Sequence, residues 1–157
     1  MSNEGDLPAH DASKHPLTAD TGVRDLRAPL VAGAGIGVAQ AASPFAFWWL
    51  DPATVYALGL VFIAAVYIGF SVADGRWKVI AAETTVAAIF VVVAAVAITG
   101  STWLLVGGFT GHGLKDSGNT GTCLSPAPRW WPTFCAAVDF VVAAILAIAL
   151  AVGTHLR

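Results

Sequence analysis

The chain has 157 residues, 57% of them hydrophobic and only 11% charged, with a net charge of -2. A soluble domain carries about 25% charged residues, so an ordinary water-soluble domain is excluded, and the absence of a basic stripe argues against a nucleic-acid partner. With a mean hydropathy of +0.73, the lipid bilayer is the natural solvent for a chain long enough for one compact unit.

Residues 1–27 are polar, mixed in charge and without periodicity, and read as a disordered N-terminal tail. They lack the basic start and apolar core of a signal peptide. His10 and His15 fall in this tail and read as solvated side chains. Residues 28–157 read as one transmembrane helical domain.

Five apolar stretches follow in order, at about 29–50, 53–73, 79–98, 102–116 and 132–154. A span needs roughly 20 apolar residues. The second, third and fifth satisfy this. The first is long enough but rich in Gly and Ala, and it carries Gln40, Ser43 and Pro44. The fourth rises only about 22 Å, so a thin span and a re-entrant half-helix both remain open. Arg24 and Arg27 precede the first stretch, Arg76 and Lys78 separate the second from the third, and Lys115 and Arg129 flank the loop between the fourth and fifth. The other two connections hold no Lys or Arg. Positive charge alternates as the positive-inside rule requires if all five stretches span and the N-terminus is cytoplasmic. Four spans is the runner-up. The six tryptophans, Trp48, Trp49, Trp77, Trp103, Trp130 and Trp131, fall at the expected membrane interfaces.

Gly33 and Gly37 are in GxxxG spacing, and so are Gly107 and Gly111. Small residues at this interval let helices pack closely, within one chain or across a dimer. The two cysteines, Cys123 and Cys135, form no disulfide framework and no CxxC pair. They read as inert thiols. His112 and His155 fall on opposite sides, which leaves no pair to ligate haem. No cofactor or metal is assigned.

The ionisable residues within the spans collect on one side. Glu83 is about 7 Å and Asp139 about 10 Å inside their stretches. His112 and Asp116 share a helix face at i, i+4, as do Cys135 and Asp139. Glu83, His112, Lys115, Asp116, Cys135 and Asp139 therefore form a candidate polar pocket at the cytoplasmic leaflet. Three readings compete. In one, Glu83, Asp74, Asp116 and Asp139 are neutralised by Arg76, Lys78, Lys115 and Arg129, which fixes helix register. In another, the groups line a proton or ion path, or bind a small charged ligand. In the third, His, carboxylate and thiol ligate a metal or Cys135 attacks a substrate, although HExxH, GxSxG and CxxC are all missing.

The runs H-G-L-K-D at 112–116 and R-W-W-P-T-F-C-A-A-V-D at 129–139 resemble the C-terminal half of small bacterial multi-pass membrane proteins of unknown function. There an H-x-x-x-D helix end is followed by a short loop and an F-x-C-x-x-x-D helix start. The resemblance covers about a third of the chain by this reading and implies a membrane fold without an activity. The intervening loop, SGNTGTCLSPAP, lacks the aromatic and His residues expected at that place.

The expectation is thus an all-α integral membrane bundle of five transmembrane helices, in the inner (plasma) membrane of a bacterium. It is a non-enzymatic membrane subunit or a binding or transport accessory, which associates with a second copy or another membrane subunit. The alternative is a metal- or thiol-dependent intramembrane enzyme.

Overall fold

The computed structural model describes residues 21–119, 127–154 and 156, with the side chains of 21–25 excepted. The expectations for residues 1–20, including His10 and His15, and for Cys123, His155 and Arg157 lie outside these. Among the described residues the fold is all-helical: α1 (Thr21–Ala41), α2 (Ser43–Ala46), α3 (Pro52–Asp74), α4 (Trp77–Thr99), α5 (Trp103–Asn119) and α6 (Trp131–Ala151).

Local chemistry explains most of the helix ends. Asp51 caps α3, its carboxylate accepting from the Ala53 amide at 2.8 Å, and Pro52 occupies a first-turn position that needs no amide hydrogen. The same helix stops at Gly75, whose φ of 76° is left-handed and costs glycine little. Across that turn, Arg76 pairs with Asp74. Pro132 sits in the first turn of α6. The stretch expected as one piece over 29–50 is broken. Continued helix would set the Pro44 ring against the Gln40 carbonyl, and the Ser43 hydroxyl instead donates to that carbonyl at 2.6 Å. At its start, α1 reaches back to Thr21, so residues 21–27, expected within the tail, are helical. Likewise α5 continues past Asp116 to Asn119.

The helices α3, α4 and α6 are long and apolar enough to cross a membrane. With 23, 23 and 21 residues they extend about 34, 34 and 31 Å, against a hydrocarbon core of about 30 Å. The 17 residues of α5 reach about 26 Å.

Packing follows the small residues. Helix α6 lies against α1 on one side and α5 on the other, while α3 packs on α4 and both touch α5. Gly33 abuts Phe134 and Ala137 of α6, and Gly37 abuts Val138 and Val141, so α1 and α6 run parallel with backbones close. The second GxxxG pair behaves differently. A Cβ on Gly107 or Gly111 would meet nothing within 4 Å, so among the described residues no other helix packs against that face of α5. Leu60, Leu105, Phe109, Val142 and Leu146 fill the core between α3, α5 and α6. At the end where α3 begins, the Tyr56 hydroxyl donates to the Ala41 carbonyl at 2.6 Å, and the Ala53 amide donates to the Leu156 carbonyl at 3.1 Å.

The polarity is inverted relative to a soluble bundle. Phe62, Ile89, Val92 and Ile148 point outward, whereas Ser71, His112, Asp116 and Asp139 are wholly buried. Exposed apolar area on this scale belongs against lipid or a partner, and ionisable groups in such a protein turn to the interior. Trp77 and Trp130 stand exposed at one end of the bundle, and Trp48, Trp49 and Trp103 at the other.

Candidate functional site

The end of the bundle where α3 and α5 stop and α4 and α6 start carries the ionisable groups. The order of the helices produces this. His112 and Asp116 lie one turn apart near the end of α5, and Asp139 lies in the third turn of the antiparallel α6, so the three face one another across the α5–α6 contact. Gly113 makes the approach possible: a Cβ there would sit 3.2 Å from Asp139 Cβ and from the Phe140 ring.

The six expected site residues separate into two groups and a neighbour. In the first group, His112 Nδ1 is 2.7 Å from Asp139 Oδ2 and 3.5 Å from Asp116 Oδ2, and all three side chains have 0% exposure. In the second, Lys115 Nζ donates to Glu83 Oε2 at 2.7 Å, with exposures of 19% and 12%. Cys135 is buried one turn from Asp139 and makes no hydrogen bond to the imidazole. Of the two partners the sequence offers Asp139, Lys115 and His112, the geometry selects His112.

The register reading is met only in part. Asp74 has Arg76 and Glu83 has Lys115. Among the described residues, however, Lys78 and Arg129 form no ion pair with a carboxylate; both are exposed. Nothing from those two neutralises Asp116 or Asp139.

Tyr67 is the site residue that sequence reasoning missed. It lies in the apolar run of α3, is 0% exposed, and its hydroxyl faces the Asp116 carboxylate. Its ring lies 3.8 Å beneath Lys115 Nζ, a cation–π contact, and 5.8 Å from the His112 ring. Phe90 flanks the imidazole on the α4 side at 5.0 Å. Tyr67 thus joins the two groups. The signal for it was present: a tyrosine about two turns inside an apolar run brings a polar hydroxyl where lipid offers it no partner.

Two buried carboxylates share one imidazole at this site. Lys115 is matched by Glu83, which leaves two aspartates facing one imidazole. When both carboxylates are ionised, the triad carries -2 with a neutral imidazole and -1 with a protonated one. Unneutralised charge among apolar helices is costly, so the geometry suits a cationic guest or bound protons. Imidazole nitrogen and carboxylate oxygen are also metal donors, and one donor atom from each of His112, Asp116 and Asp139 lies within 4.8 Å of the others. A separate cleft of about 450 Å³ opens at the opposite end, lined by Gly100, Ser101, Trp103, Thr154 and Leu156 among others. Among the described residues, none that lines it is ionisable.

Comparison with protein-family models, curated proteins and solved structures finds no match. The functional reading rests on the site alone.

Proposed function

We propose that this chain is a small multi-pass integral membrane protein with five spans and a cytoplasmic N-terminus, resident in a bacterial plasma membrane. It acts as a non-enzymatic membrane subunit or a binding or transport accessory, and the polar cluster at its cytoplasmic leaflet is a binding site for a small cation. The observation that carries the reading is the surplus of buried carboxylate: Asp116 and Asp139 share His112, while Lys115 is taken by Glu83. The loop charges support the orientation, because Arg76, Lys78, Lys115 and Arg129 all belong to the end that bears the cluster. Thiol chemistry finds no support in Cys135, which is 3% exposed.

Reporter fusions test the spans. A reporter after Arg27 is expected to read cytoplasmic, and one after Arg157 extracytoplasmic. A cytoplasmic C-terminus would remove the odd number of crossings. The pocket is tested by melting the detergent-purified protein against a panel of sodium, potassium, ammonium, a small organic amine and divalent metal chlorides at equal ionic strength. At least one cation should raise the melting temperature in a concentration-dependent way, because a ligand that binds only the folded state stabilises it by mass action. A flat response across the panel would refute a cation site.

A further inference from the structure

Resting on the reading of a cation site, the geometry points to a divalent first-row transition metal ion of the Zn²⁺ class as the guest, held by His112 Nδ1 and by one carboxylate oxygen each from Asp116 and Asp139. Three observations carry this. The first is convergence. The donor atoms come from two helices, lie within 4.8 Å of one another, and include separations of 2.7 and 3.5 Å at the imidazole. Ligands placed about 2.0–2.2 Å from a common ion are separated by similar distances, so small side-chain rotations suffice. The second is an unused acceptor. Asp139 Oδ1 is buried and has no hydrogen-bond partner among the described residues, although its residue is 0% exposed. The third is charge. Two ionised carboxylates and a neutral imidazole would sum to -2, which a divalent ion cancels and a monovalent ion does not.

The donor set narrows the metal. Magnesium and calcium take oxygen ligands, whereas imidazole suits zinc and its neighbours. Three protein ligands leave a tetrahedral ion one open position. The surroundings look like a supporting shell: the Tyr67 hydroxyl faces Asp116, and the rings of Tyr67 and Phe90 flank the imidazole. Such contacts orient ligands before the metal arrives. The Lys115–Glu83 pair is the more exposed neighbour, and its two charges match each other.

The test uses the full chain in detergent, purified on a tag without histidine and carrying His10→Ala and His15→Ala, which removes the tail imidazoles from the count. After dialysis against Zn²⁺ or Co²⁺ and removal of loosely held ion, elemental analysis should find about one metal per chain. The Co²⁺ form should show d–d absorption without a thiolate charge-transfer band, which excludes Cys123 and Cys135 as ligands. His112→Gln, Asp116→Asn and Asp139→Asn should each weaken binding about 100-fold or more; loss of a supporting contact alone costs about 10–100-fold. Glu83→Gln should leave binding within a few-fold. A far-ultraviolet spectrum and a size-exclusion profile for each variant establish that it folds, and the cobalt spectrum of the parent protein stands even where a variant does not. No bound metal, a thiolate band, or affinity unchanged in all three ligand variants would overturn the assignment. A protein stabilised by sodium, potassium or the organic amine but not by zinc or cobalt would overturn the metal and leave the cation site standing. A protein indifferent to every cation would overturn both.

Discussion

In detergent containing chelator, His112→Leu is expected to be the most damaging single change in the polar cluster, lowering stability by about 3 kcal/mol, at the lower end for a broken buried pair. The change removes the one imidazole set between Asp116 and Asp139. It leaves two carboxylates with 0% exposure facing each other across the α5–α6 contact. Like charges this close resist joint ionisation. Asp139→Leu should cost less, because the imidazole still has Asp116 3.5 Å away. Asp139→Asn should cost least, since an amide still hydrogen-bonds. Combining His112→Leu with Asp139→Leu should recover much of the loss, because one carboxylate then remains, facing the Tyr67 hydroxyl. Thermal melting of the four proteins yields the coupling energy. Additive single effects would show that the two side chains do not interact energetically. Lys115→Met should not rescue Asp139→Leu, because Lys115 belongs to Glu83.

The second large effect is expected at Gly33. A Cβ at this position overlaps the Phe134 carbonyl and lies 2.9 Å from Ala137 Cβ. Since the obstacle is α6 backbone, it cannot rotate aside. Gly33→Leu should therefore push α1 away from α6 and cost about 1–3 kcal/mol, the usual penalty for overpacking. Gly111→Leu is the matched control. It has the same GxxxG spacing and an equal gain in volume, but the space around it is open to 4 Å. Its melting temperature and elution volume should stay at the parent values. A shift in elution at Gly111 would assign that face of α5 to contact between copies; a parent-like Gly33→Leu would mean that α1 and α6 do not pack as described.

The two glycine pairs show how far the sequence could be read. Spacing identified both, but only the packed structure shows which pair has a helix in front of it, because that depends on how each helix is rotated about its axis. Helix existence was legible from apolar runs for the same reason that α3, α4 and α6 are long enough to span: 20 apolar residues in a row leave few alternatives. Ends were less legible. Ser43 and Pro44 were visible as polar or rigid residues, yet the break they make depends on the Gln40 carbonyl one turn earlier. At the site, the i, i+4 relations of His112 with Asp116 and of Cys135 with Asp139 follow from helix geometry alone. Sequence could not choose between Lys115 and His112 as the partner of Asp139, because a lysine and an imidazole on adjacent turns both reach the neighbouring helix. It also passed over Tyr67, whose role comes from α3 lying beside α5 rather than from any spacing.

The dependence of the bundle on α6 has a consequence for biosynthesis. Helices α1 and α5 both find their largest partner in α6, which is translated after both of them. Until residue 139 has been translated, His112 and Asp116 are without the carboxylate that completes their cluster. The hairpin of α3 and α4 can form before α6 exists, whereas the glycine face of α1 stays uncovered until α6 (Trp131–Ala151) has been made. Truncated or stalled products therefore lack the helix that seals both the glycine seam and the ion pair. They would present to the membrane's quality control the buried polar groups that the finished protein hides.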